Sequence, residues 1–453
     1  MNVPDLEVSL GMTIYATRAL GVGGRIRHFP EDFVVEEILA DGSRATVKPV
    51  PVEVPKGWGR HLLCLLVKRN WDTLTAVERI AEELKVDRNH VRIAGIKDAR
   101  ALTAQHISVS MVTPEKVLNL KVRGLEVYPI RFEDETVSPG RLYGNHFHIA
   151  IRSIRYDPLV IEERINTVLK ELKDLGGIPN YFGHQRFGTK RPITHLVGRQ
   201  IVKGNLEEAA LTFLSFPGPF EDSRAREARI YLGNTRDYRT AFKIFPEHLI
   251  YERIMLRHLL KHPRDYLGAF RRLPLKLRRL FVQAYQSYLY NMFLSERAKR
   301  GIPLNDVMIG DHALTLDDRG LPTRRVSKVS DSNLSHVRER IHKGEMVLGI
   351  PLIGLDVGVS GGIQGEIERE ILSKEGVAPR DFDVECMPEV RARGEFRRAL
   401  APIINLEVSS ISEDPVNPSR FKVELDFILL RGSYATVLLR EIMKPQNVVE
   451  AGF

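Results

Sequence analysis

The run Gly95-Ile96-Lys97-Asp98-Ala99-Arg100-Ala101-Leu102-Thr103-Ala104-Gln105-His106-Ile107-Ser108-Val109 places one carboxylate, Asp98, between two basic side chains, Lys97 and Arg100. Opposite charge nearby favours an ionised carboxylate, and an ionised carboxylate can serve as nucleophile or base. Val91-Arg92-Ile93-Ala94-Gly95 alternates as a strand, and Ile107, Val109 and Met111 alternate with Ser108 and Ser110. Asp98 therefore belongs to a short loop between strands, a place from which a rigid scaffold presents reactive groups. The plain structural role for such an Asp is a loop cap.

Other chemistries lack their residues. There is no Gly-Lys dipeptide and hence no phosphate-binding P-loop. Gly21-Val22-Gly23-Gly24 lacks the third glycine of a dinucleotide fingerprint. His258 and His262 stand four apart, but without an HExxH pattern or an acidic third ligand close by. Two distant cysteines, Cys64 and Cys386, support neither a disulfide framework nor a zinc site. An enzyme built on this chain is expected to work with side chains alone, with no metal and no cofactor.

The elements that must position Asp98 follow from periodicity. Residues 25–39, with Phe33-Val34-Val35-Glu36-Glu37, and residues 61–68 read as strands. Asp72-Thr73 starts a helix carrying Leu74, Val77, Ile80, Ala81 and Leu84 on one face. Phe147 to Ile151 is a further strand. Ile161, Ile165, Val168, Leu169 and Leu172 mark a helix that Gly176-Gly177 ends. From about residue 205 to 300 the pattern is mostly helical, with one long helix around residues 275–293 stopped at Gly301. Strand character returns at residues 423–430 and 436–439. The Gly-rich stretch 354–365 reads as an ordered loop or a lid. The simplest architecture is α+β: one largely antiparallel sheet domain made from both chain ends, interrupted by an insertion.

The chain has 453 residues, more than one hydrophobic core usually supports. Its 67 Lys and Arg against 58 Asp and Glu give a net charge of +9, which fits a polyanionic partner. The excess concentrates between Arg253 and Arg279, where Arg253, Arg257, Lys261, Arg264, Arg271, Arg272, Lys276, Arg278 and Arg279 face only Asp265. Tyr266 and Phe270 lie among them and are candidates for stacking on bases. Arg324, Arg325 and Lys328 would extend the surface. No apolar run is long enough to span a bilayer and no signal peptide is evident, so the protein is expected in the cytoplasm.

Seven segments, in order, resemble the TruD-type tRNA pseudouridine synthases. They are Pro30-Glu31-Asp32-Phe33-Val34-Val35-Glu36; Gly95-Ile96-Lys97-Asp98 with Ala101, Thr103 and Gln105; Gly144-Asn145-His146-Phe147; Pro179-Asn180-Tyr181-Phe182-Gly183-His184-Gln185-Arg186-Phe187-Gly188; Ala284-Tyr285-Gln286-Ser287; Gly394-Glu395-Phe396-Arg397-Arg398; and Gly432-Ser433-Tyr434-Ala435-Thr436. The long insertion and basic balance are similar to archaeal members. The resemblance implies an isomerase that converts one uridine of tRNA to pseudouridine, usually position 13 in the D arm, with no cofactor and no metal. It places the catalytic aspartate at Asp98 and the substrate pocket at Phe33, Asn145, Phe147 and Tyr434, where several members have Phe in place of Tyr434. It implies a catalytic pseudouridine synthase domain in residues 1–176 and 401–453, interrupted by a large inserted α/β domain over residues 177–400.

In that chemistry Phe33 would wall the pocket, Phe147 would stack on the uracil and Asn145 would hydrogen-bond the base edge. Lys97 or Arg100 would orient Asp98 or contact a phosphate, with Arg100 the favoured ion-pair partner. Attack at C1′ and proton removal at C2′ both remain open. The partner is tRNA, the protein is read as a monomer, and the competing functions are a non-catalytic tRNA-binding or chaperone protein on the same scaffold and a cofactor-dependent RNA modifier. The Asn180-to-Gly188 run lines the pocket or packs the domain junction.

Overall fold

A computed structural model of the chain describes residues 2–48 and 54–453. Its largest sheet has eight strands: β1 (Phe33–Leu39), β2 (His61–Arg69), β3 (Val91–Ile93), β4 (Leu102–Ser110), β5 (Leu125–Glu133) and β6 (Leu142–Ile154), with two more from the C-terminal part. The apolar runs in β1 and β2 are buried almost end to end, as expected of strands covered on both faces. β7 (Ile178–Pro179) pairs with β12 (Leu400–Ala401), while β8 (His312–Leu316), β9 (Pro322–Lys328), β10 (Met346–Leu352) and β11 (Glu395–Arg398) form a separate four-stranded sheet. β13 (Ile403–Glu413) and β14 (Phe421–Leu430) rejoin the large sheet, whose order is β13-β14-β6-β1-β4-β2-β5 with β3 on β4. Only β1 and β4 pair in parallel; every other ladder of the large sheet is antiparallel.

Registry carries this sheet to the site. β1 sets Phe33 against Ile149, Val35 against Phe147 and Glu37 against Asn145 on β6. On its other side β1 sets Val34 against Leu102, so the loop that carries Asp98 enters β4 beside Phe33. The helix Thr73–Leu84 flanks the loop. It is capped by Asp72, whose Oδ1 accepts from the Leu74 and Thr75 amides at 2.9 and 3.1 Å.

The helix Pro158–Leu175 buries the stripe Ile161, Ile165, Val168 and Leu172 and ends at Gly176 in the left-handed conformation. Gly177 follows at φ 139°, where a Cβ would stand 2.3 Å from the Ala401 carbonyl. Only glycine permits the close approach that seats β7 against β12. Between these strands lie first the helices Thr194–Val202, Leu206–Ser215, Ser223–Thr235, Tyr238–Ile244, Ile250–Lys261, Tyr266–Arg271 and Leu275–Lys299, and then the four-stranded sheet with two further helices, Leu334–His342 and Gly362–Glu375. The stretch 354–365 is an ordered loop: Gly354 bridges Val357 and the helix Gly362–Glu375 begins within it.

One expected strand is not a strand. Residues 436–439 belong to the helix Ala435–Met443, whose nine residues are all buried. A short apolar run does not distinguish a buried strand from a helix buried on every side. This helix also carries Arg440 into the core, where its Nε lies 2.7 Å from Glu7 Oε2 and its Nη1 3.0 Å from Glu441 Oε1.

Candidate active site

Asp98 lies in residues 94–101, between β3 and β4, with 29% of its side chain exposed. Its Oδ1 is 2.9 Å from Arg27 Nη2. The Arg27 side chain is almost fully buried, lies with its guanidinium carbon 4.0 Å from the Phe33 ring centroid, and donates from Nη1 to the Gly452 carbonyl at 3.1 Å. Burial pushes this guanidinium below its ordinary range while the Asp98 charge opposes the shift. Arg27 also sits at φ 55°, a left-handed conformation that costs a non-glycine residue about 1 kcal/mol or more. The Ile26 amide donates to Ala451 at 2.9 Å, so the chain's C-terminal segment braces the turn that aims Arg27.

The loop's main chain is pinned from below. Lys68 Nζ donates to the Asp98 carbonyl at 2.6 Å and to the Trp71 carbonyl at 2.8 Å. Burial pushes its pKa down to about 8, with Asp98 and Asp72 opposing the shift. Thr73 Oγ1 accepts from the Lys97 amide at 3.0 Å and donates to the Lys97 carbonyl at 3.2 Å. Gln105 Nε2 donates to the Gly95 carbonyl at 3.2 Å. Asp98 thus hangs from a backbone held at three points.

The expected ion pair between Arg100 and Asp98 is not formed. Arg100 is exposed, and among the described residues Asp98 pairs with Arg27. Nor does Lys97 orient Asp98: its Nζ turns inward to Glu37 Oε2 at 2.8 Å and Asn145 Oδ1 at 2.7 Å. Burial pushes the Glu37 carboxyl up, but hydrogen bonds from His106 and the Lys97 charge outweigh burial and leave it below its ordinary range. Lys97 also fixes Asn145. An ammonium donates only, so the amide oxygen must face it and the Asn145 NH₂ is left as a donor for something else.

Phe33 is 1% exposed and meets Phe147 edge-on at 6.3 Å. Phe147 is 5% exposed and stacks on Phe427 at 5.3 Å and 21°. The expected stacking of Phe147 on a base is therefore not available in this arrangement: the ring packs in the core against Phe427. Gly144 precedes Asn145 because β14 runs against it; a Cβ there would lie 2.4 Å from the Leu429 carbonyl. Tyr434 lies apart from this contact chain, half-buried before the helix Ala435–Met443, with its ring 6.1 Å from Phe182.

The basic stretch is only partly free. Phe270 is fully buried, and Tyr266 is held by Glu207 at 3.0 Å, so neither is placed to stack on bases. Glu389, distant in sequence, takes Arg271 at 3.1 Å and also pairs with Arg278. Arg253 caps the Phe242 and Phe245 carbonyls, and His258 pairs with Asp265 at 2.8 Å. Arg257, Lys261, Arg264, Arg272 and Lys276 stay exposed. Arg324, Arg325 and Lys328 lie on β9, an edge strand, where charge also discourages pairing with other sheets. Among the described residues no cluster of His, Cys, Asp and Glu could hold a metal, and no helix is long and apolar enough to cross a membrane.

Sequence reasoning missed Arg27, Lys68 and Glu37. Two left a trace: Lys68 closes an otherwise apolar strand, and Glu37 breaks the apolar run of β1 at a buried position. Arg27 lies 71 residues from its partner and left none.

The family model for tRNA pseudouridine synthase D (TruD) matches residues 9–442. A Methanopyrus kandleri protein named "Probable tRNA pseudouridine synthase D" is 41% identical over 393 residues, covering 86% of this chain and 88% of that one. A Methanosarcina acetivorans protein of the same name is 38% identical over 450 residues, 98% of each chain. A crystal structure of a TruD chain from Methanosarcina mazei superimposes with a TM-score of 0.81 at 36% identity, covering 98% of this chain and 99% of that one. This chain belongs to the tRNA pseudouridine synthase D family and is an isomerase of that kind.

Proposed function

We propose that the chain isomerises one uridine of tRNA, position 13 in the D arm, using Asp98 on a nucleotide extruded from the stack. The observation that carries the reading is the mounting of Asp98: a partly exposed carboxylate aimed by a buried guanidinium, on a loop clamped by Lys68, Thr73 and Gln105. In the reaction the N1–C1′ bond breaks and a C5–C1′ bond forms; C5 loses its proton and N1 gains one, so mass is unchanged. Positive charge develops at C1′ as the glycosidic bond opens. Asp98 meets that charge by attack at C1′ or by taking the C2′ proton, and deuterium at C2′ separates the two: a primary isotope effect marks proton removal.

Extruding the nucleotide costs a few kcal/mol. Asn145, with its oxygen committed to Lys97, offers its NH₂ to a uracil carbonyl and recovers about 1 kcal/mol of that cost. Tyr434 and Arg100 contact the RNA around the target, and residues 177–400 form an inserted domain. The enzyme acts in the cytoplasm, without metal or cofactor. The test uses tRNA transcript carrying tritium at uridine C5, with protein and nothing else. Wild type is expected to release tritium from one site, and Asp98→Asn to release none. Undiminished release by Asp98→Asn would overturn the proposal.

A further inference from the structure

The Asn180-to-Gly188 segment takes no part in the Asp98 contacts, yet it lines a cavity of about 470 Å³ bounded by Phe182, Arg186, Arg279, Gln283 and residues 391–395. That volume suits a nucleotide-sized ligand. Two guanidiniums attend the Phe182 ring, Arg397 at 4.1 Å and Arg186 at 5.6 Å from its centroid. Among the described residues Arg186 reaches only neutral partners, Ser287 Oγ at 3.1 Å and Gln283 Oε1 at 3.5 Å. Arg397 donates to the Asn180 carbonyl at 2.9 Å, Asn180 Oδ1 at 2.7 Å and the Gly432 carbonyl at 2.6 Å.

None of Arg186, Arg279 and Arg397 is ion-paired among the described residues, although Glu395 lines the same cavity. The fully buried guanidiniums of the fold, Arg229, Arg297 and Arg440, each hold a carboxylate. Burial, and Arg397 beside it, push Arg186 below its ordinary range despite its neighbours Tyr434 and Glu395. Arg279 is exposed and Arg186 and Arg397 are half-buried, so the three guanidiniums keep donors free at the cavity without a carboxylate partner, and an arriving anion would meet them there.

We propose that this cavity binds a phosphodiester of the tRNA and the nucleotide attached to it, with Arg186 and Arg279 holding the phosphate oxygens. This proposal rests on the tRNA reading above. A guanidinium fork matches phosphate geometry, and phosphate contacts set the register of a nucleic acid on a protein without reading its sequence. Arg397 ties the cavity to the Gly432 carbonyl, and Phe182 ties it to Tyr434, so a nucleotide seated here would fix the RNA relative to the Tyr434 loop.

The test uses Arg279→Ala and Gln283→Glu in the full chain. Gln283→Glu gives Arg186 a permanent carboxylate without removing any guanidinium. Each variant is expected to reduce the slope of log affinity for tRNA against log salt by about 0.7 to 0.9. Each is expected to raise KM roughly tenfold while leaving kcat at saturating tRNA unchanged. Gln283→Glu is also expected to raise the melting temperature of the free protein, which a merely structural cavity would not combine with weaker tRNA binding. Wild-type slope and KM in both variants would overturn the proposal. So would inorganic phosphate that binds wild type and not the variants while tRNA binding is untouched, since the site would then belong to a free anion. Asp98→Asn separates the two readings: if it is inactive while the cavity variants behave as wild type, only the phosphate site fails, and if it is active, the function fails first.

Discussion

Replacing Arg27 with methionine should move rate and stability in opposite directions. At 2.9 Å the Arg27–Asp98 attraction is about 6 kcal/mol gross at an effective dielectric of about 20. Most of it is offset by the cost of burying the guanidinium, and Asp98, being 29% exposed, is stabilised in part by water already. A charge-assisted hydrogen bond of this kind nets about 2–3 kcal/mol. If that energy goes into holding the carboxylate against the sugar, kcat should fall about 30- to 150-fold. The free protein gives up a poorly compensated buried charge and gains a side chain that packs on Phe33, so its melting temperature should hold or rise. Single-turnover tritium release with saturating tRNA measures the first quantity and thermal unfolding the second. Arg27→Lys should fall between, because it restores the charge without the fork that serves Asp98 and Gly452 together. A melting temperature that drops in step with kcat would refute the reasoning, since Arg27 would then be holding the fold rather than the carboxylate.

Asn145→Asp keeps an acceptor for Lys97, replaces the NH₂ donor with an oxygen and adds a charge beside Glu37, so kcat/KM should fall about 10- to 100-fold by steady-state kinetics. Lys68 has a pKa depressed to about 8, so between pH 8 and about 10.5 the unfolded chain binds a proton that the folded chain does not. Stability contributed by Lys68 therefore rises with pH across that window and is lost as pH falls through 8; subtracting the Lys68→Met curve from wild type should show this slope, and a flat difference would contradict it. Gly177→Ala, with its Cβ 2.3 Å from the Ala401 carbonyl and φ 139°, should cost about 2–4 kcal/mol in denaturant unfolding. Arg440→Met strands the buried carboxylates of Glu7 and Glu441 and should cost about 3–5 kcal/mol by the same assay.

Periodicity carried the local elements well, and the reason lies in what periodicity measures. The Asp72 cap, the stripe of the Pro158–Leu175 helix and the alternation of β14 are written within one element each. The Ala435–Met443 helix failed that test because all nine of its residues are buried, and the four read as a strand, 436–439, are less than two turns of it. In the candidate site, Asp98 was read from its loop, and Asn145 and Phe147 from a motif. What was not legible was direction. Asn145 binds Lys97, Phe147 turns to Phe427, and Arg100 points outward while Arg27 points in. Each of those outcomes depends on a strand or terminus remote in sequence, and spacing along the chain carries no record of it.

The partner of Asp98 shows why such a residue escapes notice. Arg27 precedes β1 and lies in no regular element; its aim comes from a left-handed backbone that bulky residues avoid. That conformation survives because the last residues of the chain close over it: Ile26 binds Ala451, Arg27 binds Gly452, and a Cβ on Gly452 would stand 2.1 Å from the Ile26 carbonyl. The chain's two ends are also joined in the core through Glu7, Arg440 and Glu441. The geometry of the carboxylate therefore depends on residues 451–452, which follow β13 and β14, the strands that return the chain to the large sheet after β12 pairs with β7. Strain at Arg27 and closure of the whole topology are thus coupled. Removing the last two residues should release Arg27 and depress kcat by the factor assigned to Arg27→Met, while leaving tRNA affinity near wild type. Loss of binding together with catalysis would show that the C-terminus serves the RNA surface rather than the carboxylate.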